Sequence, residues 1–443
     1  MIKLEKLFFY LLIFCLPLQV RHLFYSASAS FNEWQSIWFY ATDGLILLLL
    51  GFWIWRLNKK RATAGRVKIN WQQPEFWLGI FVLLIGLSAG LAENRILAGY
   101  GSLKLLEFVG LFLYVKYNFL DLFSWKIFWR LFSASALLQA AVAIGQFFSQ
   151  KSLGLKFLAE SPLAPDLAGV AKIAVGGAKI IRAYGLVPHP NILAAILVVA
   201  IFGFLWLLIK YGEYLNLRRR IINELFLVIL LFALWVTFSR GIIVVGLAAL
   251  GGWLWFFVGE SLVQKKIARY LVVGIIGVFI IFSLMAWPYA ASHFNLSNFS
   301  VSQSVGLRGF YNQAALVFIG QSPWLGLGPN NFVVTLAEKF SGQLEPWAWQ
   351  PVHNLYLLLG SELGLPALLA FLAFLSLTIK SAWQYRRDLE ISYLFFTIGY
   401  LLIIGLFDHF LWDLQQGQIL FWLMLGLLAS FSLSDQSELS PRS

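Results

Sequence analysis

The chain has 443 residues, 60% of them hydrophobic and 17% aromatic but only 12% charged. A soluble domain carries about 25% charged residues, and a mean hydropathy of +0.77 over this length leaves too little polar surface to cover one globular core, which excludes a soluble protein. The single cysteine, Cys15, excludes disulfide frameworks and thiolate zinc sites, and the apolar runs are continuous rather than alternating, which excludes an outer-membrane barrel.

The expected fold class is therefore an all-α integral membrane protein. A spanning helix needs about 20 mostly apolar residues, and runs near that length lie at 6–23, 38–55, 75–92, 100–117, 127–148, 191–210, 222–239, 241–259, 269–289, 354–380, 392–410 and 416–432. Twelve spans follow. The fourth is interrupted by Lys104 and Glu107, which stand three apart on one helical face and can pair toward the bundle interior. Residues 1–432 read as a single polytopic membrane domain and 433–443 as a polar cytoplasmic tail without a core of its own. Two connections, 149–190 and 290–352, are too long to be simple links. In the first, Gly176-Gly177 between two β-branched runs reads as the turn of a hairpin.

The 33 Lys and Arg outnumber the 21 Asp and Glu by 12. Lysine and arginine resist translocation, and about two thirds of the 33 fall on alternate short connections. With the N-terminus inside, that pattern puts both termini in the cytoplasm and both long connections outside. Spread over short loops rather than along one stripe, the basic residues give no support to nucleic-acid binding.

A few polar residues do not fit a purely structural role. Arg182-Ala183-Tyr184-Gly185 and Pro188-His189-Pro190-Asn191 precede the sixth span, and Arg240 sits in Thr237-Phe238-Ser239-Arg240-Gly241 with almost no loop around it. An arginine so near hydrocarbon costs a few kcal/mol unless it snorkels or an anion receives it. Arg308, in Gly306-Leu307-Arg308-Gly309, leads to the run Trp324-Leu325-Gly326-Leu327-Gly328-Pro329-Asn330-Asn331-Phe332. Such a turn either offers backbone amides to an anion or packs as a re-entrant turn against the bundle. His353-Asn354 opens the next apolar helix, whose positive dipole end favours a neutral ring able to accept a proton. Asp408-His409 on the last outward turn reads as a cap and turn. The topology sends Arg182, Arg240, Arg308 and His353 to one face.

At these residues the chain resembles the O-antigen ligase and O-antigen polymerase family of bacterial glycosyltransferases. Phe238-Ser239-Arg240-Gly241, the stretch from Arg308 to Phe332 and His353-Asn354 through Gly364 carry the likeness, with Arg-Ala-Tyr-Gly and His-Pro-Asn before them. The resemblance implies a GT-C-like bundle of twelve helices with a large outward loop, in the cytoplasmic membrane, with its active site on the outer face. It also implies a glycan donor linked to polyprenyl (undecaprenyl) diphosphate, a lipid, glycan or protein acceptor, contact with membrane lipids, and inverting transfer without metal or other cofactor.

The residues suit that chemistry. A sugar leaving from a diphosphate builds negative charge that needs a divalent metal or fixed cations, and arginine donates two parallel hydrogen bonds to phosphate while staying ionised. No Asp-x-Asp occurs, and Glu33 stands alone in the first outward loop. The expected roles are a diphosphate clamp of Arg240 and Arg308, helped by Arg182, with His353 as general base. Asn354, His189, Asn330 and Asp408 are accessory candidates, and Trp347 or Trp349 would stack on sugar. A polymerase extending lipid-linked repeats uses the same parts, and a glycolipid transporter or flippase is the competing class. A transporter would show repeats and ionisable groups at mid-membrane; here those groups gather at one surface. A noncatalytic scaffold would not need three such arginines.

Overall fold

The computed structural model of the protein describes residues 1–28, 32–60, 70–212, 216–256, 262–294, 299–340, 344–345 and 348–433. Trp347 and the tail from residue 434 onward lie outside the described residues. The first helix, α1 (Ile2–Cys15), is followed by a hairpin of β1 (Arg21–Ser26) and β2 (Ser36–Tyr40), then by α2 (Ala41–Lys60), α3 (Pro74–Leu91), α4 (Arg95–Leu122) and α5 (Trp125–Ser149). A second hairpin, β3 (Lys172–Val175) and β4 (Ala178–Ile181), turns on Gly176-Gly177 as the spacing of that segment predicts. Next come α6 (Pro190–Tyr211), α7 (Leu217–Val236), α8 (Arg240–Phe256) and α9 (Leu262–Met285).

Each of the apolar runs overlaps a helix, although the first ends in β1 and the second begins in β2, and the architecture is consistent with a polytopic membrane protein. By length and composition, seven helices among the described residues can cross a membrane, and α8 and α15 (Leu389–Ile404) are shorter apolar helices. The count of twelve spans is therefore an expectation that length and composition alone do not reach.

Two expectations need correction. The segment 290–352 is not an open loop: it holds most of α10 (Trp287–Phe294), all of α11 (Phe299–Gln321) and α12 (Phe332–Lys339). A search for apolar runs passes over α11 because its first half is polar, although Tyr311, Ala314, Ala315 and Phe318 are buried with the spacing of one helical face. The run 354–380 is also two helices, α13 (Leu355–Leu363) and α14 (Leu365–Ala382), broken at Gly364 with φ of +83°. That conformation and the close approach of the Trp324 carbonyl leave no room for a Cβ there. The last elements are α16 (Phe410–Asp413) and α17 (Gln415–Ser430).

The centre of the bundle is α6, whose apolar window is 89% buried, together with α17, buried along its whole length. By contrast α9 is 17% buried and presents Val273, Ile276 and Ile280 outward, as a lipid-facing helix does. Lipid gives helices no hydrophobic reason to associate, so close packing of small residues holds them. Gly203 of α6 lies under the Trp129 indole of α5 and Gly426 of α17 under Phe112 and Val115 of α4, each with no space for a side chain.

Several charges inside the bundle are paired, as their desolvation demands. At one end of α4, Arg56 donates to Glu5 at 2.8 Å and the Tyr114 hydroxyl to the same carboxylate at 3.0 Å. At the other, Lys104 donates to Asp43 at 2.6 Å and to Glu107 at 2.9 Å, the pairing its spacing suggests. Arg21 forms an ion pair with Glu33 across the first hairpin.

Candidate active site

The turn between α7 and α8 is built around a strained residue. Phe238 has φ of +49°, a conformation that costs a non-glycine residue about 1–3 kcal/mol and persists only when its surroundings enforce it. Rings of Trp235, Phe147 and Tyr289 pack on Phe238. The guanidinium of Arg182 grips the same turn, donating from Nε to the Thr237 carbonyl and from Nη2 to Ser239 Oγ and Asn191 Oδ1, each at 2.7 Å. This places Arg240 on the first turn of α8, at its positive end.

Arg182 is thus largely committed to protein groups, and the structure places it behind the turn that carries Arg240. Burial, reinforced by repulsion from Arg308 and Arg240 and opposed by Tyr184 and Asp408, lowers its guanidinium to about 10. Arg308 rises from the middle of α11, where its Nε is buried and makes no hydrogen bond. Arg240 and Arg308 are close enough to repel each other. Three cationic forks therefore gather with Asp408 as the nearby carboxylate, and that carboxylate is already engaged by Asn191 Nδ2 at 2.6 Å and the His409 amide at 2.9 Å.

His353 joins this cluster from the start of α13. Its Nδ1 lies 3.2 Å from the Pro351 carbonyl; a carbonyl only accepts, so Nδ1 carries the proton and Nε2 is the basic nitrogen of the neutral ring. Burial, then the positive charge of His409 and Arg308, push the ring down to about 3. The His409 ring is 4.9 Å away and behaves oppositely. Burial opposes its charge, but Asp413 meets its Nδ1–H with both carboxylate oxygens at 2.8 Å and, with Asp408, raises its pKa. Two neighbouring imidazoles pushed apart in this way define a base and an acid. His189 Nδ1 accepts from the Asn191 amide at 3.2 Å, and burial with the Arg182 charge lowers it to about 3.

Helix ends explain why these groups meet. His189 caps α6, Arg240 begins α8 and Asn354 caps α13, so the positive ends of three helices and the cations point to one region, the arrangement that favours an anion. Asp413, four residues after His409, was not singled out from the sequence, although the i,i+4 spacing alone puts the pair on one helical face.

Several accessory candidates serve the fold. Asn354 Oδ1 accepts from the Tyr356 and Leu357 amides at 2.9 and 3.0 Å, and its Nδ2 donates to Leu406 at 2.9 Å, so its amide is occupied. The glycine-rich run does not offer its amides to a ligand: Leu327 and Gly328 donate to the Ser361 and Glu362 carbonyls at 3.0 and 2.8 Å, the re-entrant alternative. Asn330, with φ of +57°, lines a cleft beside this turn rather than the arginine cluster. Trp349 accepts from Asn32 through its carbonyl at 3.0 Å.

No curated protein matches the chain. A family model described as O-Antigen ligase matches residues 225–372, from α7 into α14. The match covers Arg240, Arg308 and His353, the three groups that the bundle brings together, and over that segment the chain is similar to the O-antigen ligase family.

Proposed function

We propose that the protein is an inverting glycosyltransferase that moves a glycan from a polyprenyl diphosphate to an acceptor hydroxyl at the outer face of the cytoplasmic membrane. The observation that carries this reading is the gathering of Arg240 and Arg308, with the buried unpartnered Nε of Arg308, around a neutral His353. Arg240 and Arg308 hold the two phosphates. Arg182 is a positioning residue that fixes the turn carrying Arg240. His353 takes the proton of the acceptor hydroxyl on Nε2 as its oxygen attacks the anomeric carbon and the bond to the diphosphate oxygen breaks. A bound diphosphate neutralises the arginine charge that depresses His353, so the ring becomes more basic when substrate arrives. One displacement inverts the anomeric centre.

The charge on the leaving diphosphate is met by guanidinium groups and by His409 in its protonated form. Among the described residues no group of three or more His, Cys, Asp and Glu side chains is arranged as a metal site. The expected result is that purified protein transfers glycan at an undiminished rate in EDTA, read as glycan added to acceptor on a gel. Loss of activity in EDTA that added divalent metal restores would overturn metal-independent transfer. Extension of lipid-linked repeats is the same reaction with another acceptor and gives a ladder rather than a single shifted band.

A further inference from the structure

We infer that the cleft beneath the His409–Asp413 pair is a carbohydrate subsite that receives the acceptor glycan, an assignment that rests on the transfer reaction proposed above. The cleft is lined by Trp34, Trp38, Trp412, Asn330, Asp413 and Gln415, among others. None of Arg182, Arg240 and Arg308 lines it. It adjoins the reacting centre all the same: Pro351, which accepts from His353, and Asp413, which accepts from His409, both form part of its wall. The Trp34 ring lies 6.0 Å from the His409 ring.

Two residues of this wall each carry a buried polar atom without a partner, and these indicate the ligand chemistry. Trp34 Nε1 is a buried donor without an acceptor, and Gln415 Oε1 is a buried acceptor without a donor. The orientation of the Gln415 amide is fixed, because its Nε2 donates to Thr42 Oγ1 at 3.0 Å and to Asp43. A buried polar atom left unpaired costs about 1–3 kcal/mol, and a hydroxyl, which donates and accepts, satisfies either. Hydroxyls on a body with apolar faces, among indole rings, describe a sugar; an alkyl chain would leave both atoms unpaired. The wall is also rigid. Arg21, held by Glu33, sits 3.8 Å over the Trp38 ring, and Lys104 binds Asp43 below. Direct displacement needs the attacking hydroxyl and the leaving diphosphate on opposite sides of the anomeric carbon, and the cleft meets the histidines through a wall that holds none of the three arginines.

The test uses the full chain in lipid nanodiscs and an octyl glucoside with a photoreactive diazirine on its sugar ring. Labelling is expected on peptides containing Trp34 or Trp412, and Trp34→Phe and Gln415→Met should each reduce it. Each should also raise the KM for acceptor about two- to tenfold, the loss of one hydrogen bond, with little change in kcat. Arg308→Ala should leave labelling intact while removing turnover, and saturation with polyprenyl-diphosphate-linked glycan should leave the cleft open to label. Labelling elsewhere, labelling undiminished in both cleft variants, or loss of label in Arg308→Ala or on donor loading would overturn the assignment. Because labelling is read without turnover, absence of transfer in the wild type would count against the reaction and not against the subsite.

Discussion

Replacing Arg308 by alanine is expected to lower glycan transfer about 10²–10³-fold, the usual cost of removing one preorganised donor to developing charge. Its Nε is buried without a partner, so its removal breaks no hydrogen bond at that atom and the variant should insert and fold normally. Arg308→Lys should recover only part of the loss. An ammonium supplies the charge but not the planar fork, and one missing charge-assisted bond of about 1.5–3 kcal/mol is roughly a 10- to 100-fold deficit. Arg240→Lys should behave in the same way. Arg182→Lys should differ, because Arg182 donates to Thr237, Ser239 and Asn191; it should loosen the Phe238 turn and lower thermal stability as well as turnover. Initial rates with a lipid-diphosphate-linked glycan, beside melting curves, check all four, and wild-type rates in Arg308→Lys and Arg240→Lys would contradict the clamp.

His353→Ala is expected to cost about 10²–10⁴ in rate, the contribution of a positioned general base. The pH profile separates this role from a structural one. In the free protein His353 is held at about 3, so it is neutral throughout the working range and kcat/KM should show no acid limb near the ordinary imidazole value of about 6.5. His409 is raised above its ordinary value by Asp413, so it keeps its proton to higher pH than an ordinary imidazole, and transfer should fall as that proton is lost. Asp413→Asn removes the carboxylate that raises His409 and should move the alkaline limb to lower pH. Unchanged rates in His353→Ala, or an alkaline limb that stays in place in Asp413→Asn, would remove these roles.

How far the chain could be read in advance depended on what kind of signal a feature leaves. Apolar length locates the helices, because a membrane span must satisfy its backbone internally and bury nothing charged without a partner. The pairing of Lys104 with Glu107 and the Gly176-Gly177 hairpin were legible for the same local reason. Alternation of basic connections predicts one side for Arg182, Arg240, Arg308 and His353, and the fold brings them near one another. Features set by long-range packing were not legible. That Arg182 grips the 237–239 turn, that the amides of Leu327 and Gly328 go to α13, and that Trp34 and Gln415 wall one cleft all depend on which helices become neighbours. Helix α11 is hard to read from sequence because its polar half hides an ordinary buried stripe, and Asp413 because it lies one turn beyond the Asp408-His409 pair.

The proposed reaction is a covalent transfer whose leaving group is a polyprenyl diphosphate. Full-length protein in nanodiscs, incubated with a polyprenyl-diphosphate-linked glycan and candidate acceptors and read by mass, tests it directly. The expected products are an acceptor heavier by the glycan, free polyprenyl diphosphate in equal amount and an inverted anomeric linkage. Recovery of the lipid-linked glycan intact, whichever acceptor is supplied, would contradict it and favour transport of the same lipid.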